Sequence, residues 1–170
     1  MLAVPADSSS PIEILQAGVE VDSTLPPLIC TGIIGWPGTL AEVRHQLERW
    51  AAGTGLSALV VADLVLSGYE ALVNAAEHAY PSDPGPVDLT AARTTDGRVL
   101  VTVRDHGQWR PPPLDSGFRG RGLLMIRALT HRIEIRQDPG GTTVHMEWTL
   151  STTGCGSTTA QHIRHAQERG

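Results

Sequence analysis

Residues 57–80 read SALVVADLVLSGYEALVNAAEHAY, and this stretch decides the fold. Apolar residues recur at helical spacing, and Pro81 ends the run. The spacing predicts a helix from Ser57 to Tyr80. Its polar residues Asp63, Ser67, Glu70, Asn74 and Glu77 fall within about 100° of one another on the helical wheel. A solvated face of an amphipathic helix fits this pattern. The stripe is narrow, however, and holds neither Lys nor Arg, so a cation or a proton transfer fits it as well. Glu70 and Asn74 stand one turn apart and point to the same spot. A carboxylate there can take a proton from a hydroxyl or a water. The amide oxygen beside it is a suitable hard ligand for Mg²⁺.

Upstream, Leu28–Ile34 reads as a strand ended by Trp36-Pro37-Gly38. Thr39 and Glu42 form a capping box for a helix with Leu40, Val43, Leu47 and Trp50 on one face, closed by Gly53 and Gly55. Downstream, Val87, Leu89 and Ala91 alternate with polar neighbours. The turn Thr94-Thr95-Asp96-Gly97 follows, and Val99, Val101 and Val103 alternate again, which predicts a hairpin. A Pro- and Gly-rich loop leads to a helix over about Leu123–Thr130. Ile133 and Ile135 begin another strand, Asp138-Pro139-Gly140-Gly141 turns the chain, and Val144, Met146 and Trp148 alternate in the last one. The order predicts an α+β fold: a two-layer sandwich whose mixed, mostly antiparallel sheet is covered by helices on one face. Residues 1–27 read as an extension, with an edge strand in Ile12–Val21. Residues 28–150 form the domain, and 151–170 form a polar tail expected to be mobile.

Composition narrows the chemistry. All thirteen basic residues are arginine, which excludes a Walker A lysine, the strand lysine of eukaryotic-type protein kinases and Schiff-base chemistry. A net charge of −5 without a basic patch disfavours direct nucleic-acid binding. No apolar run approaches the roughly 20 residues of a membrane helix, and Met1–Pro11 lacks the pattern of a signal peptide. Cys30 and Cys155 suggest neither a disulfide framework nor a zinc site, so a reducing cytoplasm is expected. His162 and His165 form an H-x-x-H with no other metal-ligand types close by.

Two glycine loops carry the rest. Val101–Gly107 is a strand ending in Asp105-His106-Gly107. An aspartate at a strand end can accept a hydrogen bond from an exocyclic amine such as that of adenine, and a glycine lets the chain bend close to a ring. An Asx turn explains the same residues. Ser116-Gly117-Phe118-Arg119-Gly120-Arg121-Gly122 runs straight into Leu123-Leu124-Met125-Ile126. Glycines before a helix start present free N–H groups and the positive dipole end to an anion, and Arg119 and Arg121 add charge. A flexible connection is the simpler account of this loop alone.

In order, these boxes resemble the GHKL ATPase superfamily with its Bergerat fold. The N box is EALVNAAEHAY (Glu70–Tyr80), the first glycine box DHG (Asp105–Gly107) and the second GRGLLMI (Gly120–Ile126). Within it the chain looks most like the bacterial anti-sigma factor serine/threonine kinases. WRPPP (Trp109–Pro113) and RALTHRIEI are similar to the actinobacterial branch. The resemblance implies a catalytic base at Glu70 and a Mg²⁺ ligand at Asn74. It implies an adenine-reading aspartate at Asp105 with Gly107 beneath the ring. It further implies a phosphate-facing loop at Gly120, Arg121, Gly122 and Leu123, and an adenine-reaching threonine at Thr142 or Thr143. His78 matches a position often held by histidine after the N box. Trp109 stands where family lids often carry a second glycine, and the lid is short and proline-rich, which puts ATP affinity and lid motion in question.

The resemblance thus implies a Mg²⁺-ATP-dependent serine/threonine kinase that acts as an anti-sigma factor. Its partners are a sigma factor and an anti-anti-sigma antagonist, with homodimers common among relatives. A non-catalytic ATP-binding regulatory module is the alternative. The catalytic domain of a histidine kinase is a third reading, disfavoured because no phosphoacceptor helix pair or sensor segment accompanies the boxes.

Overall fold

The computed structural model describes residues 19–80, 84–107 and 121–150, with Arg121 described by its backbone alone. Among the described residues, five strands and three helices follow the order β1 (Leu28–Ile34), α1 (Pro37–Ala51), α2 (Ala58–His78), β2 (Pro86–Arg93), β3 (Arg98–Asp105), α3 (Arg121–Leu129), β4 (Arg132–Asp138) and β5 (Gly141–Thr149). The strands form one sheet in the order β1-β2-β3-β5-β4. All four pairings are antiparallel, so the sheet is purely antiparallel rather than mixed. The fold is α+β, as the alternation of apolar residues predicts.

Strand alternation sends Val87, Leu89, Ala91, Val99, Val101, Val103, Met146 and Trp148 to one face, where they are buried. Leu40, Val43 and Leu47 of α1, Leu64, Val65 and Leu72 of α2, and Ile126 of α3 complete that core. Gly68 of α2 lets the helix come close: a Cβ there would lie 2.7 Å from Leu47 Cδ2. The opposite face carries Asp88, Arg104, Thr143 and Arg136 in one cross-strand row and Thr90, Thr102, His145 and Glu134 in the next.

Three local expectations are corrected. Helix α1 begins two residues before Thr39: Pro37 occupies its first position, Trp36 is the N-cap, and no side chain caps it. Proline's fixed φ and missing N–H suit the first helical residue, so the capping box is not used. Helix α3 starts at Arg121, which brings Gly122 into its first turn. Helix α2 spans 21 residues and holds an 18-residue window of mean hydropathy 1.5, long and apolar enough by length and composition to cross a bilayer. Small and β-branched residues around the narrow polar stripe raise that mean. The helix packs on the sheet through Leu64, Val65, Gly68, Ala71 and Leu72. Its N-cap is Ser57, with Oγ accepting from Val60 N.

The stretch before β1 is tied to the domain. Val21 bridges to Thr94, and Arg93 donates to Asp22 Oδ2 from Nε at 2.9 Å and to Thr54 O from Nη1 at 3.2 Å. Most of Ile12–Val21, the tail from Ser151 with Cys155, His162 and His165, and the loop with Trp109, Arg119 and Gly120 lie outside the described residues.

Candidate functional site

At one end of the sandwich four pieces of chain converge: the C-terminal half of α2, the end of β3, the start of β5 and the first turn of α3. Helical spacing puts Glu70 and Asn74 on one side of α2. From Asp63 to Asn74 that side is not a solvated face, although Glu77 at its end is exposed. Ser67 is fully buried, and Asp63, Glu70 and Asn74 are half-buried, while Leu59 and Leu66 elsewhere on the helix are exposed. The polar stripe turns toward α3. A Cβ built on Gly122 would lie 2.4 Å from Glu70 Oε1 and 2.9 Å from Asn74 Nδ2. Only a residue without a side chain lets the first turn of α3 come this close.

Asp105 ends β3 almost buried, at 5% exposure. Its Oδ1 accepts from Gly107 N at 3.1 Å, which is the Asx turn, and from Thr142 N at 3.1 Å. Among the described residues Oδ2 takes no hydrogen bond, so one carboxylate oxygen is held by the backbone and the other is without a partner there. Two glycines make this geometry. A Cβ on Gly107 would stand 2.2 Å from Ala79 O, and one on Gly141 would stand 2.0 Å from Asp105 O. Gly141 also has φ +134, a conformation that side chains resist.

Of the two candidate threonines, Thr142 meets Asp105. Thr143 pairs with Arg104 and Arg136 and lies on the opposite face of the sheet. The period of two forces this, because neighbouring strand residues face opposite ways. Leu123 is exposed in the first turn of α3, and His78 is exposed at the end of α2. Ala79 and Tyr80 went unassigned in the sequence, although both stand in the N box; Tyr80 Oη accepts from His106 N at 2.9 Å.

The site tolerates a divalent cation held through few protein ligands. Asn74 Oδ1 is the amide atom that could meet such a cation, while its Nδ2, a donor, is buried without a partner beside Gly122. Among the described residues no group of three or more His, Cys, Asp and Glu side chains could hold a metal by itself. That suits Mg²⁺, which keeps most of its waters and takes one or two protein oxygens plus phosphates.

Residues 36–148 match the histidine kinase-like ATPase domain family. The chain belongs to that family. Solved structures agree. The RsbU and RsbW domains of Rv1364c from Mycobacterium tuberculosis share 33% identity at a TM-score of 0.56, over 72% of this chain and 32% of that one. This chain therefore spans about a third of that protein's length. Two others share the fold. The histidine kinase domain of the Erythrobacter litoralis EL346 blue-light activated histidine kinase is 20% identical at TM-score 0.50, over 83% of this chain and 69% of that chain. The SiaB–SiaC complex from Pseudomonas aeruginosa gives 15% and 0.50, over 71% and 88%. A histidine kinase-like ATPase domain implies ATP as the nucleotide, and the described parts of the three boxes meet at a single end of the sandwich.

Proposed function

We propose that this ATPase domain is a Mg²⁺-ATP-dependent serine/threonine protein kinase that acts as an anti-sigma factor in a bacterial cytoplasm. It phosphorylates a small antagonist protein. The observation that carries this is the position of Glu70: its carboxylate adjoins Asn74 beneath Gly122, where a nucleotide's phosphates would meet the first turn of α3. A pure nucleotide sensor has no use for a base at that point. The 33% identity to the RsbU–RsbW domain protein supports the same reading.

In this reading Asp105 accepts the adenine amine through Oδ2, with Gly107 under the ring and Thr142 nearby. Asn74 would hold Mg²⁺ through its amide oxygen, and the ion would offset phosphate charge. Gly122 and Leu123, in the first turn of α3, would offer backbone N–H groups to the phosphates as part of the Gly120–Leu123 sequence, and Arg119 or Arg121 would supply the positive charge that lysine supplies elsewhere. Glu70 takes the proton of the antagonist's hydroxyl as that oxygen bonds to the γ-phosphorus. The bond to the β–γ bridging oxygen breaks, its electrons leave with ADP, and the proton stays on Glu70 until water removes it.

The test is labelling with γ-labelled ATP against a panel of candidate antagonist domains. The wild type should label one of them on Ser or Thr. Glu70→Ala should abolish labelling and keep both ATP and sigma-factor binding. If ATP binds and no antagonist gains label, the kinase claim goes and the non-catalytic regulatory module takes its place.

A further inference from the structure

Next to the proposed nucleotide site, a second set of contacts serves no step described above. Tyr80, just past the end of α2, lays its ring over Gly85: a Cβ on Gly85 would stand 2.1 Å from Tyr80 Cε1. The phenol donates to Pro86 O at 2.5 Å and accepts from His106 N at 2.9 Å. His106 then turns away from the site, because strand neighbours face opposite ways. Its Nε2 meets Asp88 Oδ2 at 2.7 Å. The other oxygen of Asp88 accepts from Gly32 N at 2.8 Å. Gly32 has φ +66 and lies where the β1–β2 register shifts between Cys30 and Ile33.

Four pieces of chain are thus joined around one residue, His106, which sits between Asp105 and Gly107. We propose that Tyr80 and the Asp88–His106 pair are positioning residues that hold the Asp105-His106-Gly107 turn in register for a purine, without touching the phosphates. The proposal rests on the nucleotide reading of the site and adds to it how the base-binding side is kept in place. Both sides of His106 are anchored. Its backbone N–H is held by Tyr80 from the α2 side, and its ring by Asp88 from the far face of the sheet. With His106 fixed, Asp105 can only point toward Thr142, and Gly107 is pressed against Ala79. Burial pushes the Tyr80 phenol above its ordinary value, so it stays protonated and keeps donating to Pro86.

The test uses the full chain and two ligands, ADP and inorganic tripolyphosphate, each with Mg²⁺, measured by calorimetry. Tyr80→Phe deletes both hydrogen bonds of the phenol and keeps its ring on Gly85. Asp88→Ala deletes the far anchor. Each should weaken ADP roughly tenfold, the scale of about one hydrogen bond, and change tripolyphosphate less than about twofold. In parallel, amide exchange at residues 105–107 should speed up while Val99–Val103 stay protected. A uniform loss for both ligands, or faster exchange throughout β3, would mean a general structural staple and overturn the proposal. Unchanged ADP affinity with unchanged exchange overturns it too. A wild-type protein that binds neither ligand overturns the nucleotide reading itself, a different result from any variant effect.

Discussion

A Cβ placed on Gly122 would stand 2.4 Å from Glu70 Oε1, so the first turn of α3 lies against the carboxylate of α2 with no room for a side chain. Gly122 does not have a positive φ, so alanine is allowed there by the backbone. In a helix alanine is favoured over glycine by about 1 kcal/mol. The collision is with the far end of Glu70 and with the Asn74 amide, both of which can swing. Gly122→Ala should therefore keep its melting temperature, within a few degrees, while the site loses its geometry. Phosphotransfer should fall by about a hundredfold or more, since misplacement of about 1 Å is enough for that. Melting curves and antagonist labelling on the same preparation check both halves.

Gly141 gives the opposite result. Its added Cβ would meet the backbone oxygen of Asp105 at 2.0 Å, and its φ is +134. Neither can relax by rotating a side chain. Gly141→Ala should destabilise the domain by roughly 2–4 kcal/mol, combining backbone strain with a forced separation of β3 and β5. Urea melts should show the loss, and ATP affinity should fall with it.

The layers of the fold were legible because they depend on patterns with a single period. Val99, Val101 and Val103 alternate, and Glu70 and Asn74 keep helical spacing, so strand and helix faces follow directly. Pairing was less legible. Whether Thr142 or Thr143 meets Asp105 depends on the register of β3 against β5, and both threonines look alike in a list of residues. Close approaches were not legible either. Gly107 against Ala79 and Gly122 against Glu70 join residues 28 and 52 positions apart, and local patterns carry no trace of them. The capping box at Thr39 misled because Pro37 offered a competing start of equal local merit.

Acid should weaken the fold through His145. It faces Thr102, whose Oγ1 lies 3.0 Å from its Nδ1, and Arg136 and Glu134 flank it. Burial, with help from Arg136, pushes the imidazole below its ordinary 6.5. The unfolded chain then takes up the proton first as pH falls. Stability from this group is complete above 6.5 and declines as pH drops from there through the lower folded value. His145→Gln should remove this part of the slope. Melting temperature against pH between about 7.5 and 5, for both proteins, checks it.

Two tryptophans separate stability from function. Trp148 of β5 is 1% exposed and its Nε1 donates to Leu129 O, the last residue of α3, at 2.8 Å. Trp50 of α1 donates in the same way to Pro26 O at 2.9 Å, at the opposite end of the sandwich from Gly122. Phenylalanine at position 148 deletes the donor and leaves a part-buried carbonyl without its partner, at roughly 1–3 kcal/mol, whereas at position 50 the exposed Pro26 O can turn to water and the cost is smaller. Both variants should melt lower. Only Trp148→Phe loosens α3, however, and with it the turn that holds Gly122 against Glu70. Its ATP affinity should fall several-fold beyond that of Trp50→Phe at matched stability. Equal affinities in the two variants would mean that the C-terminal anchor of α3 does not reach the site.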